Sequence, residues 1–180
     1  EKPRVTKVLM VGNTVITDDQ LREVIFIREG HVIDDSTIRR DVNRIEDFYS
    51  QEGYLAHVAD AQVGKFGVIT FVIEEARVED IIVEGLVRTK EEIVRREIDL
   101  KPGELFQEQR AIEQVRQIFR VGIFENVRSD IRQGIKDPER GVIVAFQVDE
   151  KRTGMASLAV GYSNLDDLVM VVSWAETNFR

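Results

Sequence analysis

One stretch of this chain occurs twice, and that duplication restricts the fold more than any other feature. The first copy opens at Val8-Leu9-Met10-Val11-Gly12-Asn13, passes through Thr17-Asp18-Asp19-Gln20 and reaches Gly30. The second opens at Ile81-Ile82-Val83-Glu84-Gly85, passes through Thr89-Lys90-Glu91-Glu92 and reaches Gly103. Gly12 to Gly85 and Gly30 to Gly103 are both offsets of 73 residues, with one residue lost before Thr89 and regained before Gly103. A period that long exceeds a solenoid unit and suits a small domain. At 43% hydrophobic and 32% charged, the 180 residues are globular in composition and divide into two units near the lower size limit for independent folding.

Each copy has the same local grammar. In the first, Val5 to Val11 is a β-branched, apolar run that reads as a strand ended by Gly12-Asn13. Thr17 and Gln20 form a capping box, with Leu21, Val24 and Ile25 at helical spacing behind it, and Gly30 is read as the stop of that short helix. Asp34, Asp35 or Ser36 caps a second helix whose buried face is Ile38, Val42, Ile45 and Phe48 or Tyr49, with Gly53 as its stop. Tyr54 to Val63 and Val68 to Glu75 make a hairpin around Gly64-Lys65-Phe66-Gly67. The second copy repeats this order: strand Val78 to Glu84, capping box at Thr89, a break at Lys101-Pro102-Gly103, a helix face of Ile112, Val115, Ile118 and Phe119, and a stop near Gly122. A hairpin from Phe124 to Arg132 and Val142 to Asp149 follows. The fold class is α+β: two tandem β-α-α-β-β domains, each a three-stranded sheet backed by two helices, then a truncated β-hairpin. The boundaries fall at residues 1–76, 77–152 and 153–180. Only Ala76 and Arg77, without Gly or Pro, join the copies, so limited bending is expected rather than free tumbling.

The tail differs in kind. Ala156, Leu158, Val160 and Tyr162 alternate with smaller residues, Asn164 to Asp167 is turn chemistry, and Leu168, Met170, Val172 and Trp174 share a side. A large apolar face over nine to eleven residues fits a transmembrane barrel strand; an extra soluble hairpin fits as well. No apolar run is long enough for a spanning helix and no charged-then-apolar leader opens the chain, so an exported protein is expected to be represented here by a fragment.

These residues carry a resemblance to a known family. The plan of apolar strand, Gly12-Asn13, Thr17, Gly30 and Gly53-Tyr54, with Gly85, Thr89, Gly103, Gly122 and Phe124 as counterparts, resembles the POTRA (polypeptide-transport-associated) domain. The tail is similar to the opening hairpin of an Omp85-type outer-membrane barrel. Leu86 departs from the Asn usual after that glycine. The resemblance implies a module on the periplasmic face of a bacterial outer membrane, or at a plastid outer envelope. Its implied partners are unfolded outer-membrane β-barrel polypeptides, accessory periplasmic lipoproteins and the chain's own C-terminal barrel. Barrel assembly, two-partner secretion and plastid import share this plan.

The residues themselves exclude other classes. The net charge of −8 argues against nucleic acid, which needs clustered Lys and Arg. A KH-like RNA module shares the β-α-α-β-β order, but the loops at Gly30 and Gly103 lack its second glycine and carry acids. No cysteine is present for disulfides or thiolate metal sites, and no cofactor or metal is expected. Ser163 lacks the glycine of a nucleophile elbow, Gly64-Lys65 lacks a P-loop's partners, and Asp34-Asp35 and Asp166-Asp167 suit a helix start and a turn. His31 and His57 are expected to be solvated. No catalytic residue is assigned.

Strand addition remains. A three-stranded sheet leaves open edges whose unpaired N–H and C=O groups pair with an extended client almost regardless of its sequence. With the first strand in the middle or beside the third, the second strand is an edge. Its candidate binding residues are Leu55, His57, Val58, Ala59, Ala61 and Val63 in copy one, and Val127, Ser129 and Ile131 in copy two. The alternative is a pair of passive spacers that hold other domains at a set angle.

Overall fold

The computed structural model describes residues 3–151 in full and the backbone of 154–162 and 168–176. The first unit contains β1 (Lys7–Val11), α1 (Asp18–Val24), α2 (Asp35–Gln51), β2 (Ala56–Val63) and β3 (Val68–Glu75). The second contains β4 (Arg77–Glu84), α3 (Glu91–Arg95), α4 (Glu108–Arg120), β5 (Phe124–Gln133) and β6 (Gly141–Glu150). A separate antiparallel pair, β7 (Gly154–Tyr162) and β8 (Leu168–Glu176), follows in the register Gly154↔Glu176 to Tyr162↔Leu168. The side-chain faces expected for that pair and the turn at 164–167 lie outside the described residues.

The sheets run β1-β3-β2 and β4-β6-β5. The last strand of each unit is therefore central, with the first parallel on one side and the second antiparallel on the other. The physical reason lies in the strands themselves. β3 alternates strictly, burying Ile69, Phe71 and Ile73 on one face, whereas β6 buries Val142 through Phe146 without a break, so both of its faces are covered along that stretch. Both β1 and β2 are edges, so the first strand is not in the middle.

Each unit has its own core. Leu21, Ile45, Tyr49, Ile69 and Phe71 are fully buried in the first, and Val94, Ile118, Phe124, Val144 and Phe146 in the second. The strand exits are built alike. Gly12 and Gly85 sit at φ +94° and +91°, and a Cβ on either would lie 2.1 Å from a carbonyl of the central strand, Ile73 O or Val148 O. Only glycine meets both demands.

Several local expectations are corrected. Helix α1 ends at Val24, not at Gly30; Gly30 lies in the connection beyond, donating its N–H to Val5 O at 2.7 Å. The Thr17–Gln20 capping box forms, but Thr89 caps nothing: Lys90 precedes α3 without a side-chain bond. Helix α4 buries Ala111, Gln114 and Ile118, leaving Ile112 and Phe119 exposed, a rotation of one position from the expected face. Leu86 packs against the second core, whereas Asn13 donates to Ile16 O and Asp18.

The junction is tied rather than free. Ala76 is buried; its N–H donates to Leu55 O at 2.8 Å and its carbonyl accepts from Phe106 at 2.9 Å. Glu108 N–H reaches Gly53 O, Arg77 N–H reaches Arg140 O, and the Arg140 guanidinium pairs with Glu74 across the two units. Arg77 already belongs to β4, so Ala76 alone connects the strands, and the connection works as a stapled joint rather than the two-residue link expected.

Candidate functional site

The edges expected to bind polypeptide are β2 and β5, and both are edge strands. Along β2, Leu55 and Val63 flank the strand with 41% and 46% exposure; His57, Val58 and Ala61 are half-buried, and Ala59 is exposed. The pairing with β3 slips between Val58 and Asp60, making Ala59 the extra residue of a bulge. The Val58 amide donates to Glu46 of α2 at 2.9 Å. This edge is twisted at its centre and partly capped there, the way natural edges resist self-association. On β5, Val127 is buried and belongs to the core, Ser129 is half-buried and Ile131 is at the surface. Arg132, forked onto Glu84 at 2.8 Å and bonded to Asp130, gives this edge its ionic character; that pairing holds the Glu84 carboxyl below the ordinary range.

Sequence separation hid how the two edges meet. The start of β2 and the end of β5 open onto one cleft of about 300 Å³ at the junction, lined by Leu55, His57, Ala76, Ile131, Gln133 and Pro138 among others. His57 is partly exposed, with its Nε2 3.5 Å from Glu74. His31, also partly exposed, lies tilted by 39° against Phe26 with ring centroids 5.4 Å apart, and its Nδ1 accepts from Arg28 N–H. Glu139 brings a third potential ligand atom to His57 and Glu74, all within 4.8 Å, the one metal-capable group among the described residues. Arg140 already engages the other oxygen of Glu74, so the group is an ion-paired cluster as it stands.

Two pairs of polar residues hold the connections before and after each unit's first helix, and neither was singled out from the sequence. Glu75 ends β3 and is 7% exposed; it accepts from Thr14 N–H at 2.6 Å, Val15 N–H at 3.1 Å, the Tyr49 hydroxyl at 2.9 Å and the Thr14 hydroxyl. Burial alone would raise its pKa, but these bonds together hold it below the usual carboxylate range. The same burial, with Glu75 alongside, pushes the Tyr49 phenol upward. Glu150 ends β6 in the same position and accepts from Val87, Arg88 and Thr89 N–H, with the same net lowering against burial. Asp41, fully buried on α2, takes Phe26 and Ile27 N–H at 2.8 and 2.7 Å; Gln114 on α4 takes Asp99 N–H at 2.7 Å. Asp41 and Gln114 are 73 residues apart, and that period was the available signal. Glu79 similarly gathers Ile135, Lys136 and Asp137 N–H, ordering the β5–β6 loop.

Comparison with known proteins agrees with this architecture. The profile of the POTRA family, described as surface antigen variable number repeat, matches residues 3–76 and 76–151. The outer membrane protein assembly factor BamA of Neorickettsia risticii is 27% identical over 89% of this chain, which spans only 22% of that relative. Among solved structures, POTRA1-3 of the periplasmic domain of Omp85 from Anabaena aligns with a TM-score of 0.73 at 25% identity, covering 84% of this chain and 67% of that one. The N-terminal domain of Omp85 from Thermosynechococcus elongatus aligns at 0.67 and 26%, covering 84% and 68%. The chain belongs to the POTRA family and carries two consecutive copies of its domain.

Proposed function

We propose that this chain is the periplasmic substrate-binding and scaffold module of an outer-membrane protein assembly machine. Its clients are unfolded β-barrel polypeptides, taken up by strand addition, with accessory lipoproteins docking on the same units and β7–β8 opening a C-terminal barrel. The observation that carries this reading is the placement of β2 and β5: two edges, one per unit, whose ends meet at a single cleft. Main-chain pairing is tolerant of client sequence, which suits a machine with many clients. The bulge at Ala59 and the ion pairs on β5 keep the edges from pairing with each other's copies while leaving the flanks at Leu55, Val63 and Ile131 accessible. The similarity to assembly factors of the outer membrane supports the location.

Photo-crosslinkers at Leu55, Val63 and Ile131, with exposed Arg116 on α4 as control, test it against a urea-diluted outer-membrane barrel polypeptide. Capture is expected at the edge positions and not at the control. Ala59→Pro should reduce that capture while leaving the unit folded, because an exposed edge residue loses little else. Equal yields at all four positions would mean non-specific adhesion and end the strand-addition reading.

A further inference from the structure

The junction holds a set of donor atoms that strand addition does not use. His57 on β2 and Glu74 on β3 are paired directly across the sheet of the first unit. Side chains placed that way stand about 5 Å apart at Cβ on rigid backbone, so their heads meet without a loop having to order them. The two oxygens of Glu74 are in different situations. Oε1 is held by the Arg140 guanidinium of the second unit. Oε2 is buried, has no hydrogen-bond partner among the protein groups, and lies 3.5 Å from His57 Nε2. That separation is longer than an ordinary hydrogen bond. It suits two ligands of one tetrahedral ion, since metal–N and metal–O bonds of about 2.1 Å put such donors about 3.4 Å apart.

Glu139 brings the third donor from the other unit. It is exposed in the β5–β6 loop, and its carboxylate oxygen lies within 4.8 Å of both other atoms, a gap that a rotamer change closes. The loop that carries it is fixed: Glu79 collects the Ile135, Lys136 and Asp137 N–H groups, and the Arg140 carbonyl accepts from Arg77 N–H. All three donors line the junction cleft, which has room for water as a fourth ligand. The neighbouring cations are already matched. Arg140 faces Asp137 and Glu139 as well as Glu74, and the Arg77 guanidinium donates to Gly103 O at 3.0 Å. The equivalent cross-strand pair of the second copy is Arg128 and Gln147, so the donors are no requirement of the fold. Among the described residues this set occurs once, where one unit abuts the next.

We infer that His57, Glu74 and Glu139 bind one divalent transition ion of the zinc class, which ties the two units together at a fixed angle. One imidazole and two carboxylates with an open fourth place suit zinc, whereas calcium and magnesium take oxygen ligands. Arg140 is the outer partner that orients the Glu74 carboxylate and leaves Oε2 to the ion. The ion sits on side chains and needs no client on the β2 edge.

The test uses the full chain, untagged and stripped with EDTA, titrated with zinc chloride by calorimetry. One ion per chain is expected, with no competition from magnesium. His57→Ala and Glu139→Gln should each lower affinity by about a hundredfold or more, since losing a ligand costs at least what losing an outer partner does. His31→Ala, at the other histidine, should leave affinity unchanged. Zinc should also narrow the distribution of single-molecule energy transfer between dyes on the two units, and should not do so in Glu139→Gln. Both substituted side chains are partly or fully exposed, and melting temperatures unchanged without zinc show that the variants fold. No binding by the native chain, binding undiminished in His57→Ala, or an equal loss in His31→Ala would overturn the site. Full affinity in Glu139→Gln, or a distance distribution that zinc does not narrow in the native chain, would overturn the bridge between the units.

Discussion

Replacing Glu75 by Ala is the sharpest test of how the first unit is held. The carboxylate closes the loop between β1 and α1 and is the hydrogen-bond acceptor for Tyr49, which is fully buried. Without it the phenol hydroxyl is left in apolar surroundings, costing about 1–3 kcal/mol, and the Thr14 and Val15 amides lose a charged acceptor at about 1 kcal/mol each where water partly replaces it. The expected loss is about 3–5 kcal/mol, a large share of a small domain's stability. Tyr49→Phe in that background removes the orphaned hydroxyl and should restore about 1–2 kcal/mol, a coupling that a double-mutant cycle isolates. Glu150→Ala should cost far less, about 1 kcal/mol, because the Val87 and Arg88 amides it holds are at the surface. Urea titration followed by hydrogen exchange in each unit separately reads these values. The pH dependence has a definite sign. Because the folded pKa of Glu75 lies below its unfolded value, its contribution is complete above the unfolded carboxylate range and lost as pH falls through the folded value. Glu75→Gln should therefore differ most from the native chain at neutral pH and converge with it in acid. A loss below about 1 kcal/mol for Glu75→Ala, or no recovery by Tyr49→Phe, would refute the idea that this carboxylate organises the unit.

Gly12→Ala should destabilise the first unit by about 3 kcal/mol or more, since its Cβ would lie 2.1 Å from Ile73 O; Gly30→Ala, at a similar φ of +88° but with open space around it, should cost only about 1–2 kcal/mol in thermal melts. Arg140→Ala removes the pair with Glu74 across the junction, and single-molecule energy transfer between dyes on the two units should then show a broader distance distribution at unchanged melting temperature. Deletion of 154–180 should leave hydrogen-exchange protection of both units intact, because β7 and β8 pair only with each other among the described strands; loss of protection in the second unit would make the hairpin part of its core.

Much of the fold was legible because its signals are local. The Thr17 capping box, the Asp34 cap and the glycine after α2 depend on residues a few positions apart, and each acts as read. The faces of the longer helices were legible only in outline. Helix α2 shows Ile38, Ile45 and Tyr49 inward as its spacing predicts, yet Asp41 shares that face because its carboxylate terminates the preceding connection. Helix α4 is turned by one position for the same reason: Gln114 must face inward to reach Asp99 N–H. A polar residue on an apolar stripe looks like an error in the pattern until its partner, 15 residues away, is placed beside it. The candidate site was legible by half. That β2 and β5 are edges follows from hairpin adjacency, but Val127 proved to be core, and the bulge at Ala59 has no local signature.

The duplication and the order of elements in each copy are local properties of the sequence, since periodicity, caps and turn residues act over one or two helical turns. Tertiary structure decided what lies between distant residues. It made the last strand of each unit the central one, pairing parallel with the first strand and antiparallel with the second and so leaving those two as the edges. It set Glu75 and Glu150 as clasps some 60 residues from the amides they hold.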